Sequence, residues 1–159
     1  MSTNARSVEA LLNRVLVIIN PMAGRGRAAQ AWPQVAAALV KAGILYDDIR
    51  TRRPHDATTL AEHAVDDYDV VIAVGGDGTA HEVANGLLAA AKGGPTLPMA
   101  VIPLGHSNDF ARMLLPDAQP GHTSSQRGEH FRFSHVRCPT GAKFEMGLIA
   151  DCCPVSAPL

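Results

Sequence analysis

Apolar and polar positions alternate between two periods along this chain. Residues 14–20, RVLVIIN, are a nearly unbroken apolar and β-branched run, the pattern of a strand covered on both faces. Similar runs recur at 69–74 (DVVIAV) and 99–104 (MAVIPL), while 44–51 (ILYDDIRT) alternates apolar with polar. Alanine-rich stretches lie between them. The first follows the PMAGRG break and runs to about Gly43, with Pro33 starting or kinking a helix. The second is ATTLAEHAVDD, with Asp56 expected as its N-cap. TAHEVANGLLAAA (79–91) predicts a third helix, and SNDFARMLL (107–115) a short one stopped by Pro116. From about 116 to 143 the pattern fades into loop-like sequence, with FRFSHVRC one more candidate strand.

Strand and helix in short alternation predict an α/β fold: a Rossmann-like, three-layer α/β/α arrangement around a parallel sheet. Ligands of such sheets bind beyond the carboxyl ends of the strands. Three loops fall on that edge, at 20–26, 75–79 and 104–109, and each contains glycine.

Composition narrows the function classes. The 159 residues are 47% hydrophobic and 18% charged, as in a globular chain. A net charge of −1 supplies no global field for nucleic acid. Apolar runs are too short to cross a bilayer, and the charged start, MSTNARSVEALLNR, lacks the apolar centre of a secretory signal, so a cytoplasmic location is expected. Cys138, Cys152 and Cys153, with His122, His130 and His135 nearby, match no structural zinc spacing, so no residue is assigned as a metal ligand.

The middle loop, GGDGT, stands where a strand becomes a helix. A helix amino terminus offers unpaired N–H groups and partial positive charge, and glycines let phosphate approach closely. Thr79 and Glu82 have the T-x-x-E spacing of a capping box, a structural reading that stands beside a functional one. Asp77 is harder to place. A bare carboxylate repels phosphate, so it calls for Mg²⁺, held directly or through water, or for a base that takes a proton from an incoming hydroxyl. The alternative is an aspartate suited to a tight turn, contributing little to folding. The first loop adds a rival: residues 24–29 fit G-x-G-x-x-A, with Asp47 and Asp48 some twenty residues on, the fingerprint of a dinucleotide-dependent oxidoreductase. Against it, NPMA separates strand and first glycine, and that fold has no use for a second, acid-bearing glycine loop.

Taken together, NPMAGRGRA (20–28), GGDGTAHEVANGL (75–87) and PLGHSNDFAR (103–112), with the weaker TRRPHDATTLAEHA (51–64), resemble the amino-terminal domain of the diacylglycerol kinase-like lipid kinases. This family includes diacylglycerol, sphingosine and ceramide kinases and bacterial lipid kinases. The resemblance covers roughly residues 14–115. It implies a lipid-kinase nucleotide-binding domain that transfers the γ-phosphate of ATP, with Mg²⁺, to a lipid hydroxyl in phospholipid metabolism. Asn20, Gly24, Gly26 and Thr51 would line the nucleotide. Gly75, Gly76, Asp77, Gly78 and Thr79 would cradle its phosphates, joined by Glu82, His106 and Asn108. Asp77 is the catalytic candidate, as in the sphingosine kinase branch; elsewhere in the family a carboxylate of the second domain has that role.

His106 stands where the family usually has threonine after PLG, which bears on nucleotide affinity. Asp109 either orients its loop or serves as a helix-turn residue, and Arg25 and Arg27 either assist the phosphates or are solvated. The expected division is a nucleotide-binding domain over 1–137 and, over 138–159, the start of a truncated β-rich second domain, since GAKFEMGLIADCC faintly resembles that domain's opening strands. Expected partners are ATP and a lipid with a free hydroxyl, with peripheral membrane contact. Self-association or a missing second domain would cover the sheet beyond the fourth strand. A non-catalytic nucleotide-binding remnant and a soluble-substrate kinase of the NAD kinase type remain as alternatives.

Overall fold

The computed structural model describes residues 14–41, 43–114, 132–137 and 143–148. Six strands, β1 (Val15–Ile19), β2 (Tyr46–Arg50), β3 (Val70–Gly75), β4 (Met99–Pro103), β5 (Arg132–Arg137) and β6 (Lys143–Leu148), form one sheet in the order β2-β1-β3-β4-β6-β5. The first four run parallel; β6 joins β4 in parallel, and β5 pairs antiparallel with β6. Four helices connect or follow the strands: α1 (Arg27–Lys41), α2 (Asp56–Ala64), α3 (Asp77–Ala91) and α4 (Asp109–Leu114).

β1, β3 and most of β4 are buried because each is covered on both faces. Alternate residues serve the two faces, as a strand's period of two requires. Leu16, Ile18, Val71, Ala73 and Val101 meet α2 and α3 through Ala57, Ala61, Val83 and Leu87. Val17, Ile19, Ile72, Val74 and Ile102 meet α1 through Ala28, Trp32, Val35 and Leu39. Each fully buried aliphatic side chain stabilises by roughly 1.5–3 kcal/mol, so these apolar runs dictate the layering. The three-layer α/β/α architecture is the one expected. α2 and α3 approach closely enough that a Cβ on Gly86 would strike the carbonyl oxygen of Thr58 and lie 2.8 Å from the Ala61 Cβ.

The strand order also places the site. From β1 the chain moves outward to β2 over the α1 face, and from β3 it moves the other way to β4 over the opposite face. The crevice beyond β1 and β3 is therefore the switch point at which ligands of such sheets bind.

Local expectations needed three corrections. Asp56 is the first residue of α2 and not its N-cap; that place belongs to His55, in left-handed conformation at φ 69°. The Asp56 carboxylate instead reaches back to accept the N–H groups of Arg52 and Arg53 at 2.8 and 2.9 Å. The Thr79–Glu82 capping box does not form, because α3 starts two residues earlier, with Gly76 as N-cap and no side-chain cap bond. Of the two places the sequence left open for Pro33, the interior of α1 is the one it takes. On the far side of β4, β6 occupies the flank expected to lie open, and among the described residues the unpaired flank of the parallel set is β2.

The cysteines fall outside the described residues, as do His122, His130 and, of the expected second segment, 138–142 and 149–159. Among the described residues no helix is long and apolar enough to cross a membrane.

Candidate functional site

Asn20, at the end of β1, organises the crevice. Its N–H donates to the Val74 carbonyl at 2.9 Å, and its Oδ1 accepts the Met22 N–H at 3.1 Å. Its Nδ2 donates to the Thr79 hydroxyl at 3.1 Å, across 59 residues of sequence. One side chain thus joins the first glycine loop to the start of α3. Thr79 is buried, and its hydroxyl crowds Gly75 so closely that a Cβ there would sit 2.5 Å from Oγ1. Gly75 is needed by the protein's own packing.

The other two loop contacts are backbone against backbone. A Cβ on Gly76 would lie 3.1 Å from the Gly105 Cα, and one on Gly105 would collide with the Gly76 Cα. Gly24, at φ +61°, sits against the Leu104 carbonyl, where a side chain would collide as well. The Leu104 N–H donates to the Gly75 carbonyl at 2.7 Å. All three predicted loops therefore meet at one place. Gly78 differs: the space a side chain would take there is open, so no part of the described chain requires glycine. That open space lies at the amino terminus of a 15-residue helix with no side-chain cap, where first-turn N–H groups stay free for an anion.

The 104–108 loop is tied from within. The Gly105 N–H donates to Asn108 Oδ1 at 2.8 Å, while Asn108 Nδ2 and the Arg27 guanidinium both donate to the Gly105 carbonyl, at 3.1 and 2.8 Å. Arg27, although exposed, tethers the third loop, and Asn108 (φ 51°) acts on its own loop. Arg25 and His106 are exposed. The Asp77 carboxylate accepts the N–H groups of Asp109 and Phe110, the first two residues of α4, at 3.1 and 2.9 Å. Asp109 contributes its backbone there; its carboxylate lies 3.6 Å from Arg112 on the exposed side of α4.

Beside this junction is a pocket of about 350 Å³. It gathers four predicted residues, Asn20, Thr51, Thr79 and Glu82, from β1, the end of β2 and α3. Gly24, Gly26, Gly75, Gly76, Asp77, Gly78, His106 and Asn108 do not line it. Arg52 and Arg53 do, and reading of the sequence missed them; the signal was TRRPHD, directly after the Thr51 already singled out. Asp56 holds that stretch in place. The N–H groups of Arg52 first, then Arg53, keep its carboxyl below the ordinary carboxylate range, with the two guanidiniums adding to the effect. Among the described residues no group of three or more His, Cys, Asp or Glu side chains is placed to hold a metal ion.

Known proteins resemble this chain in sequence and in fold. The chain is 42% identical over 100 residues to a diacylglycerol kinase of Staphylococcus haemolyticus, covering 62% of this chain and 29% of that protein. It is 42% identical over 103 residues to a diacylglycerol kinase of Staphylococcus aureus, covering 64% and 31%. A crystal structure of a diacylglycerol kinase from Bacillus anthracis superposes with a TM-score of 0.56 at 33% identity, over 64% of this chain and 36% of that one. The chain thus spans about a third of the length of these relatives. The family model for the diacylglycerol kinase catalytic domain matches residues 14–134, three-quarters of the sequence and all three glycine loops, and the chain belongs to that family.

Proposed function

We propose that this chain is the nucleotide-binding part of a lipid kinase that transfers the γ-phosphate of ATP to the hydroxyl of a diacylglycerol-class lipid. The observation that carries the reading is the junction of three glycine loops at the switch point, beside a pocket lined by Asn20, Thr51 and Thr79. Asn20, Thr51 and Thr79 offer polar atoms to the nucleotide, and the first turn of α3 offers N–H groups to its phosphates across the open space at Gly78. Arg52 and Arg53 add positive charge on the same side. Mg²⁺ entering with ATP would neutralise phosphate charge as the γ-phosphoryl group moves.

Asp77 is the catalytic candidate. Two of its roughly four lone-pair sites are used by α4, which leaves capacity to accept a proton from a hydroxyl. Glu82, half-buried, is free of any capping role and is the carboxylate of the pocket wall, which Asp77 does not line. Gly24 and Gly26, both at positive φ, shape the first loop rather than touch the pocket, and His106 would meet the phosphates from the third loop. The β-rich second domain would continue from the 138–159 segment, whose β6 is bonded to the sheet. Action on a lipid at the cytoplasmic membrane surface is part of the same proposal.

Calorimetric titration of the folded chain with MgATP, MgADP and NADH tests the reading. Adenine nucleotide binding that is weakened by Asn20→Ala and Thr51→Ala is expected. Binding of NADH in preference to MgATP would overturn it.

A further inference from the structure

The third loop presents one titratable side chain to solvent beside the start of α3, and it is His106. The backbone beneath it is pinned. The Leu104 N–H is bonded to the Gly75 carbonyl, the Gly105 backbone packs against Gly76, and the Gly105 carbonyl accepts from both Arg27 and Asn108. Gly76 is the N-cap of α3. His106 follows directly on Gly105, so its own backbone stands one residue from a contact with that N-cap. The imidazole is exposed and has no hydrogen-bond or ion-pair partner among the described residues. By contrast, the rings of His63 and His81 each find a partner one turn away on their own helices.

The charges around this ring are of both signs. From the first loop come Arg25 and Arg27, both exposed. From α3 comes Asp77, whose carboxylate accepts the N–H groups of Asp109 and Phe110. From α4 come Asp109 and Arg112, which lie 3.6 Å from each other. None of them is a partner of the ring. The first turn of α3 runs from Gly76, against the third loop, to Thr79, in the pocket wall. A phosphate on its free N–H groups would therefore lie between the pocket and His106.

We propose, on the nucleotide reading of this site, that protonated His106 donates to the nucleotide's phosphates and so ties nucleotide affinity to pH. An imidazole changes charge between about pH 5 and pH 8, and once protonated both its nitrogens donate. A hydrogen bond between ionised partners is about twice as strong as a neutral one. Bound phosphate favours the imidazolium, so the contribution of His106 is present at the acid end of that range and is lost as pH rises through it. Threonine, usual at this position in the family, offers a hydroxyl that does not titrate there. A terminal phosphate itself takes up a proton near about pH 6, which acts in the opposite direction. Comparing two variants with one ligand cancels that effect.

Calorimetric titration of wild type and His106→Thr with MgATP, at about pH 5.5 and about pH 8, tests this. Wild type should bind about threefold to fivefold more tightly than His106→Thr at the lower pH, the scale of an exposed charge contact, and equally at the higher. Adenosine, which has no phosphate, should bind the two alike at both. In wild type the imidazole proton resonance of His106, assigned by its absence from His106→Thr, should titrate at higher pH when MgADP is bound; this measurement needs the variant only for assignment. A ratio of affinities that is the same at both pH values, a difference that persists with adenosine, or a titration that MgADP leaves unmoved would overturn the proposal and leave the nucleotide reading standing. Failure of wild type to bind MgATP at either pH would overturn both.

Discussion

The carboxylate of Asp77 and the backbone N–H of Phe110 are 2.9 Å apart, joining the first residue of α3 to the second of α4 across 33 positions of sequence. The other Asp77 oxygen accepts the Asp109 N–H at 3.1 Å. Asp77 is therefore more than a turn residue. It satisfies two amide groups at the start of a six-residue helix.

Asp77→Asn should consequently have two effects. In a catalytically complete form, phosphoryl transfer should fall by about a hundredfold or more, the usual scale for losing a general base. The asparagine amide can accept at only one end, so one N–H of α4 loses its partner, at a cost of about 1 kcal/mol. Hydrogen exchange should quicken at Asp109 and Phe110. Near-normal turnover together with unchanged exchange would remove Asp77 from both roles.

MgATP at a hundred times its dissociation constant should stabilise the folded chain by about 2.7 kcal/mol, read as a rise in melting temperature, with NAD(H) giving less. Arg52→Ala should weaken ATP by roughly fivefold, the scale of an exposed charge contact, and leave adenosine unaffected. Equal losses for ATP and adenosine would show that Arg52 supports the pocket wall and does not meet the phosphates.

Gly105→Ala tests the loop junction. The new Cβ would collide with the Gly76 Cα, and backbone on both sides leaves no flexible side chain to yield. Overpacking of this kind costs about 1–3 kcal/mol. Nucleotide binding should be lost while far-UV circular dichroism stays native. Gly78→Ala, placed in open space, should leave the melting temperature nearly unchanged but lower nucleotide affinity. A Gly105→Ala protein that binds MgATP normally would show that the two loops move independently.

The Asp56 carboxyl is held below its ordinary range chiefly by the Arg52 N–H. Its contribution to stability is therefore fully present above the unfolded value, about 3.9, and is lost as pH falls through the lower folded value. Urea midpoints of wild type and Asp56→Asn should differ most near neutral pH and converge as the pH drops below about 4. A gap that is constant from neutral pH to pH 3 would refute the assignment to this carboxyl.

Sequence alone determined the layers and the loops. RVLVIIN, DVVIAV and MAVIPL read as strands covered on both faces, a placement that removes their apolar residues from water. Their alternation with alanine-rich helices put the 20–26, 75–79 and 104–109 loops on one edge. What it left open depended on contacts between distant segments. The spacing of Thr79 and Glu82 is the same in a capping box as in the observed helix. The difference is that Asn20 takes the Thr79 hydroxyl and α3 begins at Asp77. Asp56 looks like an N-cap in any local window, yet its carboxylate turns back to Arg52 and Arg53, which places both in the pocket wall. Strand order decided the rest. Hydrophobic pattern records how deeply a strand is buried but not which neighbour it meets, and only the order β2-β1-β3-β4 creates the switch point and leaves β2 as the open edge.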